Sequence, residues 1–234
     1  MARRRVKISG MSLAKANKIL KRTYNRRKRE SKQVLTNFNA LTPFAQRYIT
    51  TMKYCETYTP GNSNGQTVWR LNLNSIFDPN RTGTGHQPYG HDTFSSIYNR
   101  YRVISCSYVV SAVSTAGATL QMAVIPANEE FVGTSVSEYR ENPRCKFAVQ
   151  TPGAVMRVIK GKVYLPSLTG RSKAQYMADD RYQAQFGSSP SELMILNLVT
   201  QSFDETLLTN TGTIFQVCLK YTVELFDPKQ ISQS

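Results

Sequence analysis

The sequence predicts an all-β protein: an eight-stranded antiparallel jelly-roll β-sandwich preceded by a disordered basic N-terminal arm. Three observations lead there. Eight segments carry strand patterning, most plainly near the C-terminus, where Phe215, Val217, Leu219, Tyr221, Val223 and Leu225 alternate with Gln216, Cys218, Lys220, Thr222 and Glu224. Turn chemistry separates the segments and no long amphipathic helix intervenes, so the βαβ alternation that a parallel sheet needs is missing. Finally, 13 of the 30 Lys and Arg residues fall in the first 32 positions against one acid, Glu30, which puts about +12 of the formal +15 on one short segment.

The arm is assigned to residues 1–41. Arg3-Arg4-Arg5 and Arg26-Arg27-Lys28-Arg29 form two separated clusters, and Lys7, Lys15, Lys18, Lys21, Arg22 and Lys32 complete the nucleic-acid-binding set. A like-charge block of this density repels itself and stays unfolded until a polyanion neutralises it. Leu13, Ala16, Ile19, Leu20 and Tyr24 recur at spacings of three to four, which suits a short helix formed on contact with phosphates. Runs of this kind also serve nuclear import. Lys and Arg on phosphates position a strand without reading its bases, and Tyr24 alone makes little stacking platform.

The sandwich is assigned to residues 42–234. In chain order its strands are expected at Tyr48 to Tyr58, around Trp69, Leu71 and Leu73, at Tyr101 to Ser114, Ala118 to Ile125, Cys145 to Gln150, Val155 to Leu165, Glu192 to Thr200 and Phe215 to Leu225. Pro60-Gly61-Asn62, Asp78-Pro79-Asn80, Thr115-Ala116-Gly117, Thr151-Pro152-Gly153, Ser188-Ser189-Pro190 and Asn210-Thr211-Gly212 punctuate them. A short helix is expected at Ser135 to Glu141. Two connections are long, Ile76 to Asn99 and roughly Gly170 to Ser191.

Composition limits the function classes. An apolar content of 40% over some two hundred residues supplies one sizeable core. No run approaches the length of a membrane span, and no apolar stretch follows Arg3-Arg4-Arg5 as a signal peptide would require. Cys55, Cys106, Cys145 and Cys218 are widely spaced without a C-x-x-C pair, so buried free thiols are expected, with neither a zinc site nor a disulfide framework. The acceptor triplet Asn80-Arg81-Thr82 is expected to stay unmodified. The first long loop holds both histidines, His86 and His91, beside Asp92, yet no H-E-x-x-H or G-x-S-x-G motif accompanies them. Gly83-Thr84-Gly85 is no dinucleotide loop, because Pro88 stands where a third glycine would. A hydrogen-bonded structural loop is expected, with no catalytic residue, metal or cofactor.

Leu71-Asn72 through Asp78-Pro79, Gly83-Thr84-Gly85-His86-Gln87-Pro88 and Tyr98-Asn99-Arg100-Tyr101-Arg102-Val103, with Lys162 to Gly170 and Asp180-Arg181-Tyr182-Gln183-Ala184 later, resemble the capsid proteins of circular Rep-encoding single-stranded DNA viruses, the circovirus-like group. The resemblance runs over the whole chain. It implies a jelly-roll subunit of an icosahedral T=1 shell of sixty copies, an arm pointing inward onto a single-stranded DNA genome, residence in the virion and, during assembly, in the host nucleus by way of import receptors. The arm departs from the group in being about half Lys and interrupted by apolar residues, which marks a divergent relative. Contacts between subunits are expected at Phe77, Tyr89, Phe94 and Tyr98 of the first long loop, unless those rings pin the loop to its own sandwich. Two other readings fit the same residues: a coat protein of a small single-stranded RNA virus or satellite, and a non-viral basic-tailed nucleic-acid-binding module.

Overall fold

A computed structural model describes residues 44–63, 65–114, 117–153, 156–204 and 213–230. Backbone contacts divide the chain into Met1–Phe44 and Ala45–Ser234, and every element below belongs to the second unit. The strands are β1 (Arg47–Tyr58), β2 (Asn62–Ser63), β3 (Gln66–Asn72), β4 (Tyr98–Ser114), β5 (Leu120–Ala127), β6 (Lys146–Gln150), β7 (Val158–Tyr164), β8 (Gln183–Gln185), β9 (Ile195–Ser202) and β10 (Thr213–Pro228). All eight segments expected from patterning are strands. Short helices fill the connections: α1 (His91–Ser95), α2 (Val136–Glu141), α3 (Leu165–Leu168), α4 (Lys173–Ala178) and a 3-10 turn at Asp180–Tyr182.

The strands form two antiparallel sheets. One runs β1-β10-β4-β7 with β8 added beside β4, and the other runs β2-β3-β9-β5-β6. Counting the eight long strands from the N-terminus, the first sheet holds the first, eighth, third and sixth, and the second holds the second, seventh, fourth and fifth. That interleaving of two Greek keys is the jelly roll. The alternation in β10 reads out directly, since Phe215, Val217, Leu219, Tyr221, Val223 and Leu225 are all buried between the sheets.

β4 needs a correction of phase to do the same. Ser105 faces Thr222 while Val103 faces Val223, so Ile104 is an extra residue in the ladder. This bulge turns Val103 and Tyr101 inward, where strict alternation from Cys106 would have sent Ile104 and Arg102. Tyr108 makes a different demand. Its ring lies where a Cβ on Gly161 of β7 would stand, with Cζ and Oη both 2.3 Å from that position, so only glycine fits opposite it.

A smaller core lies on the outer face of the second sheet. Val136 and Tyr139 of α2 pack there on Ala123, Ile125 and Val199. Ser135 caps this helix, its Oγ accepting from the Glu138 amide at 3.3 Å, which places the expected helix where Ser135 to Glu141 predicted it. Among the described residues, the outer face of the first sheet is covered at one end only.

The cysteines correct the expectation of four free thiols. Cys55 and Cys218 are joined as a disulfide, Cα atoms 4.1 Å apart. They sit directly opposite in the β1–β10 register, an apposition that a separation of 163 residues conceals in the sequence. Cys106 and Cys145 are free, and burial raises both thiols.

Candidate nucleic-acid and assembly surfaces

The first long loop is built from asparagines turned inward. Asn72, Asn74, Ser75 and Asn80 are all buried. The Asn72 Nδ2 donates to the Asp78 carbonyl at 2.6 Å, and the Asn74 amide bridges the Glu192 carbonyl and the Met194 amide at 2.7 and 2.9 Å. Asn80 Oδ1 accepts from Trp69 Nε1 at 3.0 Å while its Nδ2 donates to both Glu56 carboxylate oxygens at 3.2 and 3.1 Å. Tyr54 donates to the same carboxylate, and burial together with that bond pushes the phenol well above its ordinary range. Satisfying so many buried polar groups internally fixes the loop as scaffold. The Asn80 side chain of the acceptor triplet is enclosed in this network.

The loop shields one strand edge. β1 ends the first sheet, and the Tyr89 amide donates to the Lys53 carbonyl at 3.3 Å on its open side. His86 stacks on Tyr54 with ring centres 4.7 Å apart, and Phe94 meets Tyr48 at 6.0 Å. His91, buried, has Nδ1 3.0 Å from the Asp92 carboxylate and its ring edge-on to Phe186. The two histidines and Asp92 therefore do not converge on one point, and among the described residues no three His, Cys, Asp or Glu side chains do.

The four aromatics separate by environment. Tyr98 is 4% exposed, and its hydroxyl donates to the Ala45 carbonyl at 3.1 Å. Phe94 packs on the main core and Phe77 is half-buried. Tyr89, at 94% exposure, projects into solvent from the turn before α1.

The second long loop covers one end of the first sheet's outer face. There Arg102 and Glu224, both buried, lie 3.8 Å apart, and Arg102 Nη2 donates to Gln183 Oε1 at 2.9 Å. Burial lowers the Arg102 guanidinium, and Glu224 opposes that shift. Tyr176 and Tyr182 stack at 4.7 Å, with Arg171 and Arg181 against the Tyr182 ring. Asp179 gathers both arginines, at 2.5 Å from Arg171 Nη1 and 2.9 Å from Arg181 Nη2.

Beyond that cover nothing among the described residues packs on the sheet face, which is basic. One register row reads Lys53, Lys220, Ser107, Lys162, and the next reads Cys55, Cys218, Val109, Lys160. Strand alternation already assigned Lys220 to the outward face, but the partner across the ladder is set by register, which the sequence does not display. The arm residues Arg3, Arg4, Arg5, Lys7, Lys15, Lys18, Lys21, Arg22, Arg26, Arg27, Lys28, Arg29 and Lys32 lie outside the described residues.

No protein-family model matches the chain, and no curated protein matches it either. Solved structures do. Cocksfoot mottle virus aligns with 78% of this chain and 96% of its own at 10% identity and a TM-score of 0.47. A tymovirus, Desmodium yellow mottle, covers 83% and 97% at 10% identity and 0.43. A semi-empty virus-like particle of the Macrobrachium rosenbergii nodavirus covers 82% and 100% at 12% identity and 0.44.

Proposed function

We propose that this chain is the coat protein of a small virus, self-assembling into a closed icosahedral T=1 shell around a single strand of DNA that its basic arm neutralises. The observation that carries the reading is the union, in one chain, of a segment bearing about +12 with a complete jelly roll whose long loop turns its polar side chains inward as scaffold. The loop and strand residues that resemble circovirus-like capsid proteins support DNA as the cargo. Import of the subunit through Arg3-Arg4-Arg5 and Arg26 to Arg29, with assembly in the nucleus, belongs to the same reading. On this reading the exposed Tyr89 would meet a neighbouring subunit, while Phe77, Phe94 and Tyr98 would act through the loop they pin.

An RNA strand is the second reading, because Lys and Arg bind phosphates whatever the sugar. Negative-stain electron microscopy of the full chain purified at moderate salt is expected to show uniform closed shells. Nuclease treatment of the extracted nucleic acid then assigns the cargo: digestion by deoxyribonuclease alone supports DNA, and digestion by ribonuclease replaces it with RNA. Monomers or small oligomers that bind nucleic acid without closing would replace the shell with a simple binding module.

A further inference from the structure

We infer that the bare outer face of the first sheet is a second nucleic-acid contact surface, with Lys53, Lys160, Lys162 and Lys220 holding the phosphates of a single strand. Lys53 and Lys220 are directly opposite in the β1–β10 ladder, and Lys162 lies in the same row two strands further on. Like charges facing each other across a ladder destabilise a sheet. Among the described residues none of these four ammonium groups has a carboxylate within 4.0 Å, and the outward positions of β1, β10, β4 and β7 carry no acid until Glu224, which Arg47 and Arg102 already occupy. The arrangement is complete only when a polyanion lies across it.

Charge also selects the occupant. The chain's own arm has the same sign and is repelled, and so is the same face of a second copy. Val109 stands in the row of Lys160, and the apolar strip continues beside the lysines through Val158, Ile214 and Val113, all four between 36% and 43% exposed, while Tyr164 stands at the end of β7 beside Lys162. Unstacked bases have a surface to lie on and phosphates have cations to meet, which is the make-up of a sequence-tolerant groove for a single strand. The assignment deepens the function proposed above and rests on it for the identity of that strand.

The test measures binding of fluorescein-labelled oligothymidylate to the full-length chain between about 50 and 200 mM salt. Replacing all four lysines by glutamine is expected to flatten the slope of log affinity against log salt by about 3, at ~0.7 per lost phosphate contact on a single strand. Lys173→Gln with Lys229→Gln, away from the face, is expected to leave the slope unchanged. If the quadruple variant fails to fold by circular dichroism, Lys53→Gln with Lys220→Gln should still flatten the slope by about 1.4. An unchanged slope in a folded variant overturns the assignment, as does an equal loss in the control pair. So does a change in self-association with the slope intact, which would make the face a contact between copies. Electron microscopy of the same preparations reads shell closure separately, so failure to assemble is not confused with failure of this face to bind.

Discussion

Asp179 holds two guanidinium groups and a backbone amide on one carboxylate. Hydrogen bonds from the Arg181 side chain and amide, with Arg171 alongside, depress it from 3.8 to about 2. A carboxylate whose folded pKa lies below its unfolded one adds stability that is complete above the unfolded value and disappears as pH falls through the folded one. The window here runs from roughly pH 4 down to 2. Asp179→Asn is therefore expected to be the less stable protein near neutrality and to change less across that window, as read from urea midpoints measured at each pH. A midpoint that falls as steeply in the variant as in the parent would assign the acid transition elsewhere. Gly161 shows the opposite kind of residue, one whose contribution is to have no side chain where Tyr108 lies.

At the scale of the element, strands were legible because burial on one face writes a period of two into the sequence, and the eleven residues from Phe215 to Leu225 are the clearest case. What alternation omits is the neighbour. Nothing local in β1 says that Cys55 faces Cys218, or that Lys53 faces Lys220, because register is fixed by contacts between segments far apart in the chain. The same limit hid the bulge at Ile104 and left α4, the 3-10 turn and β8 inside a stretch legible only as a long connection. The first long loop, by contrast, was legible as hydrogen-bonded scaffold because no catalytic or metal motif stands in it, and its asparagines supply those bonds. Register has an energetic consequence at the disulfide. Cys55→Ser is expected to lower stability by about 2–5 kcal/mol, because the bridge closes a loop spanning most of the sandwich in the unfolded chain. Dithiothreitol should lower the urea midpoint of the parent by a similar amount and leave that of the variant in place.

Taken whole, the chain distributes its charge unevenly. Thirteen basic residues stand in the first 32 positions, while the strands from Arg47 onward account for the two sheets and their core. Deleting residues 2–32 is expected to preserve the β-rich circular dichroism spectrum and to remove most nucleic-acid affinity, leaving the weaker contribution of the sheet face. Loss of the spectrum on truncation would mean that the sandwich depends on the arm. The charge block was legible in the composition alone, because a block of like charge is a local property. The lysine face was not, because its lysines come from three strands far apart in the sequence, β1, β10 and β7.

The bridge between Cys55 and Cys218 also acts as a mechanical stop. β1 is an edge strand, laddered on one side to β10, and it is the strand into which the N-terminal segment feeds. Tension applied through that segment loads β1 from Arg47 and would peel it one pair at a time, beginning with Arg47 and Phe226. Peeling reaches the covalent link at Cys55, and from there the load passes into β10, which is clamped on its other side by β4. On the proposed function, nucleic acid bound to that segment would pull against the middle of the sheet, and the edge would not unzip past that point.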